Sequence, residues 1–320
     1  MKSKKIILIT GVAGMLGSEL LEKMINLNKT IIGIDNFKLG KKIYIRKYRK
    51  NKNFYFFKID LSKPITNFKL DRILKKYELD KIWLLAANSD IQKGISNPNE
   101  DLKNTFMTTY NSLNYLQRFL RKKTKLIFAS SSAIFGSIKH RISEKTPARY
   151  PESNYGSMKL ASESYIASYS KNNYLKSYIF RFPNVVGKNL THGILYDFKK
   201  KFLSKKKAVQ VLGDGSQKKP YSFSSEILNC MQYISNLNFK TYINYFNLGP
   251  KDKGIYVKNI VKIFKKKFKS KKIKYQNSKI GWKGDIATYS YDTSKVSKLG
   301  FNFEYNSKQS IIKSFKIMFE

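Results

Sequence analysis

The chain has 320 residues and a formal net charge of +42, with one cysteine and two histidines. That length supports one large α/β unit or two closely joined domains with an ample core. A lone Cys230 excludes a disulfide framework and a thiolate zinc cluster, and His140 and His192 are too few for a metal site built on imidazoles.

No run approaches 18 apolar residues, so no membrane-spanning helix is expected. The start, "MKSKKIILITG", is basic and then briefly apolar. It is too short for a signal peptide and reads as the first buried strand of a cytoplasmic protein. Only eight of the 63 basic residues are arginine, and the lysines run along the whole length. Nucleic-acid readers gather their charge on one face and favour arginine forks, so a nucleic-acid partner is not expected. An anionic small-molecule substrate would still gain from the field.

In chain order, "KIILIT" (5–10) reads as a strand and 15–27 as a helix with Leu16, Leu20, Met24 and Leu27 on one stripe. Strands follow at 30–35 and 54–60, a helix near 66–78, a strand at 81–87 and a long helix over about 100–122. "KLIFASSS" (125–132) is the fifth strand, the helix after Ser153 comes next, and 175–182 is the sixth strand. Strand and helix alternating in this way predict a doubly wound parallel sheet of Rossmann type, an α/β fold. Ligands in such sheets sit beyond the carboxyl ends of the strands. After residue 186 the pattern loosens, with helices at 194–206 and 224–236 and a short strand at 245–250. The expected division is a dinucleotide-binding domain over 1–186 and a smaller mixed α/β substrate domain over 187–320. Parts of 220–260 are candidates to return to the first domain.

"ITGVAGMLGSEL" (9–20) sets Gly11, Gly14 and Gly17 three apart between the first strand and first helix. In that context Gly11 suits a tight turn, Gly14 a close backbone approach to a pyrophosphate, and Gly17 close packing of helix on sheet. The helix start offers free N–H groups to the anion. Asp35 ends the second strand, where a carboxylate can accept both ribose hydroxyls of an adenosine and repel a 2′-phosphate. NAD is therefore expected over NADP, with Lys38 and Lys41 nearby as the opposing signal.

In "PESNYGSMKLASES" (151–164), Ser153 reads as the helix cap, and Tyr155 and Lys159 share one face, one turn apart. A tyrosine ionises near about 10, so it is a poor base at neutral pH unless a neighbouring ammonium favours the phenolate. Such a pair is common by chance, and its weight comes from its neighbours.

Those neighbours are the GxxGxxG turn, Asp35-Asn36, Asp60-Leu61, "LAA" (85–87), "SSSAIFG" (130–136), Tyr155-x-x-x-Lys159 and "RFPNVVG" (181–187). Together, in this order, they resemble the extended short-chain dehydrogenase/reductase superfamily. Within it the chain is similar to the NAD-dependent nucleotide-sugar epimerases and dehydratases, in the style of UDP-glucose 4-epimerase. The resemblance runs from residue 5 to about residue 300. It implies NAD as cofactor and Ser131, Tyr155 and Lys159 as the catalytic set, with Ser132 the runner-up to Ser131. It implies cofactor contacts at Gly11, Gly14, Met15, Leu16, Gly17, Asp35, Asn36, Ala86, Ala87, Tyr155 and Lys159, with Asp60 and Leu61 near the adenine.

By the same resemblance Ser132, Asn184 and Lys219 meet the substrate. Lys219 stands where relatives grip the nucleotide diphosphate with arginine, and it keeps the charge without the fork. A second arginine is missing in "GWKGD" (281–285), where Lys283 is the nearest cation. The implied reaction is epimerisation of a nucleotide-diphosphate sugar at C4 through a transient 4-keto sugar. The alternatives are a 4,6-dehydratase, a decarboxylase or a keto-sugar reductase. Ala133 occupies a position where the dehydratases carry a carboxyl, and it cannot move a proton. The resemblance also implies a homodimer formed through 100–122 and 154–170, and a role in polysaccharide biosynthesis.

Overall fold

The computed structural model describes residues 4–138, 140–148, 150–282, 286 and 288–320. Six strands in chain order, β1 (Lys5–Thr10), β2 (Thr30–Asp35), β3 (Phe54–Lys58), β4 (Glu78–Leu84), β5 (Lys125–Ala129) and β6 (Lys176–Arg181), form one sheet with Ile243–Asn247. The order across this seven-stranded sheet is Ile243–Asn247, β6, β5, β4, β1, β2, β3, and every pairing is parallel. The chain leaves the edge at β3 and re-enters beside β1, so the strand order reverses between β1 and β4. A crevice opens at the carboxyl ends of these two strands.

Both faces of the sheet are covered, which is why its strands are apolar almost without interruption. All six residues of β2 are buried. Alternate residues serve opposite faces. Ile7 and Ile9 pack with Leu20, Leu21 and Met24 of the first helix (Met15–Asn26) and with Ile227 and Met231 of the helix Ser224–Asn236. Ile6 and Leu8 pack on the other side with Leu70, Leu113, Leu116 and Ile166. A separate core, including Phe198, Phe202, Val211, Ile260 and Phe264, holds the residues beyond the sheet.

The structure trims several expected elements. The first helix ends at Asn26, and Leu27 is 61% exposed because Asn28, at φ +53°, turns the chain away. β3 stops at Lys58, β4 begins at Glu78 and stops at Leu84, β5 stops at Ala129, and the strand expected at 245–250 is Ile243–Asn247. Leu85 and Ala86 instead form a loop whose N–H groups donate to Thr10 Oγ1 at 3.1 and 3.2 Å. The long helix expected over 100–122 is broken into Pro98–Asp101, a wide π-turn at Leu102–Phe106, Met107–Leu116 and a tight turn at Gln117–Phe119. The cause lies in another part of the chain: the Asn104 carbonyl accepts from Asn88 N at 2.8 Å, which draws it to the loop after β4. A short helix at Ile91–Ser96 was not foreseen.

The first helix lies against the β1 turn with no room to spare. A Cβ on Gly17 would stand 2.1 Å from the Gly11 carbonyl oxygen, and both contacts are backbone. Gly17→Ala is therefore expected to destabilise the protein by about 1–3 kcal/mol. Urea unfolding measures this, and an unchanged midpoint would contradict the packing.

Candidate active site

A cleft of about 510 Å³ opens at the carboxyl edge of the sheet, between β1, β4 and β5 on one side and the 190–221 segment on the other. Its floor is the glycine turn. Gly11 adopts φ +69°, and Gly14 caps the first helix with no side chain bonded to the helix start. The N–H groups there face the cleft with no side-chain acceptor, as an anion requires. Asp35, 7% exposed, accepts from Ala13 N at 2.9 Å through Oδ2 and from Phe37 N at 2.7 Å through Oδ1. Each oxygen keeps a lone pair, while burial pushes the carboxyl above its ordinary range against those two bonds.

Beyond the turn stand Ser131, Tyr155 and Lys159. The helix Asn154–Asn172 is capped by Ser153, whose Oγ accepts from Gly156 N at 3.2 Å. Gly156 brings the helix onto the turn after β5: its Cβ would lie 2.3 Å from the Ala133 carbonyl oxygen. Tyr155 is 9% exposed, and burial pushes its phenol up to about 12. A hydrogen bond with Ser131 works against that shift, and the charge of Asp101 adds to it. Lys159, 2% exposed, donates to the Ala129 carbonyl at 2.6 Å, and its Nζ lies 5.9 Å from the centre of the Tyr155 ring. Burial pushes its amine down to about 7, and Glu163 opposes this. Sequence reasoning made Lys159 the tuner of Tyr155. In the folded chain burial dominates both groups, and Ser131 is the neighbour that brings Tyr155 down.

Met15, Leu16, Asn36, Leu61, Ala86, Ala87, Ser132, Asn184 and Lys219 all line this same cleft. Asp60 does not. Its Oδ1 turns to Asn36 Nδ2 at 3.3 Å and Ser62 N at 3.0 Å, one hydrogen bond behind the wall. Lys283 lies outside the described residues. Ser130, next to Ser131, is drawn away to Glu163 at 2.5 Å.

Further residues from distant loops complete the wall. The Tyr289 hydroxyl accepts from Ser132 at 3.3 Å and from Asn184 Nδ2 at 3.2 Å, joining two expected substrate contacts. Trp282 lies beneath Lys219, whose Nζ is 4.6 Å from the ring centre. His192 lines the cleft with its Nδ1 2.9 Å from Thr191 Oγ1, and burial lowers its basicity. Tyr289 is marked only by its three-dimensional neighbourhood, whereas His192 and Trp282 stand in the "THG" (191–193) and "GWKGD" (281–285) segments that the sequence already offers near the substrate.

A family model described as "NAD dependent epimerase/dehydratase family" matches residues 7–249. A UDP-glucuronate 4-epimerase of Thermodesulfobacterium geofontis is 27% identical over 299 residues, covering 91% of this chain and 89% of that relative. A putative UDP-glucose 4-epimerase of Methanocaldococcus jannaschii is 26% identical over 313 residues, covering 96% of both. In fold, the chain matches the crystal structure of a Bacillus cereus UDP-glucuronic acid 4-epimerase in complex with UDP-glucuronic acid and NAD. The TM-score is 0.83, with 24% identity and 98% of each chain covered.

The burial of Lys159 is directly measurable. In the protein without added ligand, a nitrogen-labelled lysine titration followed by NMR is expected to show one amine with its midpoint near 7. A Lys159 signal titrating at the usual lysine value of about 10.4 would contradict the buried geometry.

Proposed function

The chain belongs to the NAD dependent epimerase/dehydratase family, and from that premise we propose that it interconverts C4 epimers of a nucleotide-diphosphate sugar. The observation that carries the reading is the meeting of Ser131, Tyr155 and Lys159 in a cleft that also opens onto the glycine turn and Asp35. The residues fit NAD. The turn and helix start would hold the pyrophosphate, and the lone pairs left on Asp35 would accept the ribose hydroxyls. Lys38 is engaged by Glu100 at 2.7 Å, and Lys41 lies over the Tyr196 ring at 5.3 Å. Both opposing cations are thus occupied, which supports NAD over NADP.

Bound NAD would take the hydride from C4 and return it to the other face of the 4-keto sugar, and would set a positive ring beside the phenol. Tyr155 takes the proton from the C4 hydroxyl, and Ser131 hydrogen-bonds that oxygen and holds it in line. Lys159 binds the nicotinamide ribose and contributes positive charge that favours the phenolate. The 4-keto sugar turns over in the cleft, and Tyr155 returns the proton to the oxygen. No further acid or base is needed. Ala133 lines the cleft and has no proton to move, which disfavours 4,6-dehydration.

Asn184, Ser132 and Tyr289 are assigned to the sugar, and Lys219 to the diphosphate. Lys38, Lys93, Lys159, Lys201 and Lys219 line the cleft, and no arginine does so among the described residues. The substrate's negative charge is therefore met by point charges rather than forks. A UDP-glucuronic acid decarboxylase of Danio rerio is 26% identical over 254 residues, covering 77% of this chain and 57% of that relative. That likeness keeps decarboxylation as the second reading, since it too begins with oxidation at C4.

A homodimer is part of the proposal. Rings of Phe106, Tyr110 and Tyr165 cluster on the two helical segments expected to pair, with Leu102 and Tyr110 exposed beside them. A cytoplasmic setting and a place in polysaccharide synthesis belong to the same reading. No helix among the described residues is long and apolar enough to cross a membrane.

Proton NMR in heavy water, with NAD and a panel of UDP- and GDP-sugars, tests the reaction. A second sugar nucleotide with inverted H4 coupling and no deuterium at C5 is expected; a 4-keto-6-deoxy product would mean dehydration. Tyr155→Phe is expected to abolish turnover while NAD stays bound, and retained turnover would remove Tyr155 as the base. Asp35→Ala is expected to weaken NAD binding by about tenfold or more, read by calorimetry. An unchanged affinity would mean that the ribose lies elsewhere.

A further inference from the structure

Glu163 follows Tyr155 and Lys159 along one helix face, two turns beyond the tyrosine. Its side chain is 2% exposed and that of its partner Arg181 8%. Arg181 Nη2 donates to Glu163 Oε2 at 2.6 Å, and Arg181 Nε lies 3.0 Å from Oε1 and 3.2 Å from Oε2. The Ser130 hydroxyl donates to Oε1 at 2.5 Å. The guanidinium lies against two rings, 5.2 Å from the centre of Phe135 and 4.5 Å from that of Tyr245. One carboxylate thus joins three backbones. These are the end of β5, which runs into Ser131, the end of β6, which runs toward Asn184, and the helix that bears Tyr155 and Lys159.

A buried ion pair is seldom more stabilising than apolar packing of the same volume. Stability is therefore a weak reason for three polar groups at this junction. Directional bonds do what apolar contact does not: they fix the rotation of the helix against two strand ends. The charge has a second effect. The charged group that acts on Lys159 is Glu163 on its own helix, and Tyr155 lies beside it on the same face. Around Glu163 itself stand Arg181 of β6 and the phenols of Tyr245 and Tyr291. Glu163 is the group that favours the ammonium against burial. Without its carboxylate, the Arg181 guanidinium would be left unpaired in the interior.

We propose that Glu163 is a positioning residue, clamped by Arg181 and Ser130 so that it holds the helix bearing Tyr155 and Lys159 at a fixed rotation against the ends of β5 and β6. This rests on the reading of Tyr155 and Lys159 as the proton-handling pair, which Tyr155→Phe tests separately. Glu163→Gln keeps the shape and removes the charge. Its kcat at neutral pH is expected to fall by about tenfold, with KM for the sugar nucleotide nearly unchanged. Loss of a carboxylate disfavours the ammonium, so Lys159 releases its proton sooner. The basic limb of the kcat profile is then expected to move to lower pH by about one unit. The double variant Glu163→Gln/Arg181→Gln also removes the unpaired guanidinium, and its basic limb is expected to stay at the lowered position with kcat low, since the carboxylate is the charge that acts on Lys159. A purely structural role would lower the melting temperature of both variants and leave the limb in place, and that result overturns the proposal. If Glu163→Gln does not fold, Ser130→Ala decides, since it frees the clamp from β5 and keeps the ion pair. A lowered kcat with unchanged KM supports the positioning role, and parent kcat and pH profile overturn it.

Discussion

Everything at the reactive end depends on the reversal of strand order between β1 and β4. Two loops leave neighbouring parallel strands there in opposite directions, and the gap between them is the cleft. The gap is held to a fixed width by short contacts. Thr10, the last residue of β1, bonds the N–H groups of Leu85 and Ala86 after β4. A Cβ on Gly11 would meet Ala86 Cα at 2.9 Å, so the two loops touch through backbone. The first helix sits equally close through Gly17, and its free N–H groups are thereby delivered to the floor of the site.

Burial then sets the chemistry. Asp35, Tyr155 and Lys159 are all pushed toward their neutral forms by loss of water. The same dry surroundings strengthen each remaining charge. A carboxylate that keeps two backbone bonds, a phenol that keeps a serine, and an amine that keeps a carbonyl are poised to answer a charged ligand. A phenol that rests neutral in the bare protein is more easily ionised when positive charge stands beside it.

The large positive charge has a plainer role. Much of it is local support: Lys47 and Lys188 both reach Glu22, and Lys81 bonds Ser235 and Asn236 at the end of a helix. Within the cleft, lysine stands alone as the cationic side chain among the described residues. Lysine gives attraction without a planar fork, and the polar groups of Asn184, Tyr289 and Trp282 line the same cleft.

Most of the sheet was legible because buried parallel strands are apolar runs, and the helices between them show a 3.6-residue stripe. The glycine turn and the Tyr155–Lys159 pair were legible because each is local: its members lie within one turn or one helix. Strand ends were read too long at Lys58, Leu84 and Ala129, because there the chain leaves the sheet and Ile59, Leu85 and Ser130 line the cleft instead of continuing the ladder. The π-turn at Leu102–Phe106 could not be foreseen, because its cause is a carbonyl taken by Asn88 from another part of the chain. Asp60, expected near the adenine, accepts a hydrogen bond from Asn36, which lines the cleft, and stands one residue behind it. By itself, then, the sequence determined the fold class, the glycine turn between the first strand and first helix, the carboxylate at the end of the second strand, and the sharing of one helix face by Tyr155 and Lys159. Only the tertiary structure decided the protonation balance of that pair, the clamp of Glu163, and the wall of Tyr289, Trp282 and His192. These depend on burial and on contacts between residues far apart in the chain, and neither leaves a local pattern.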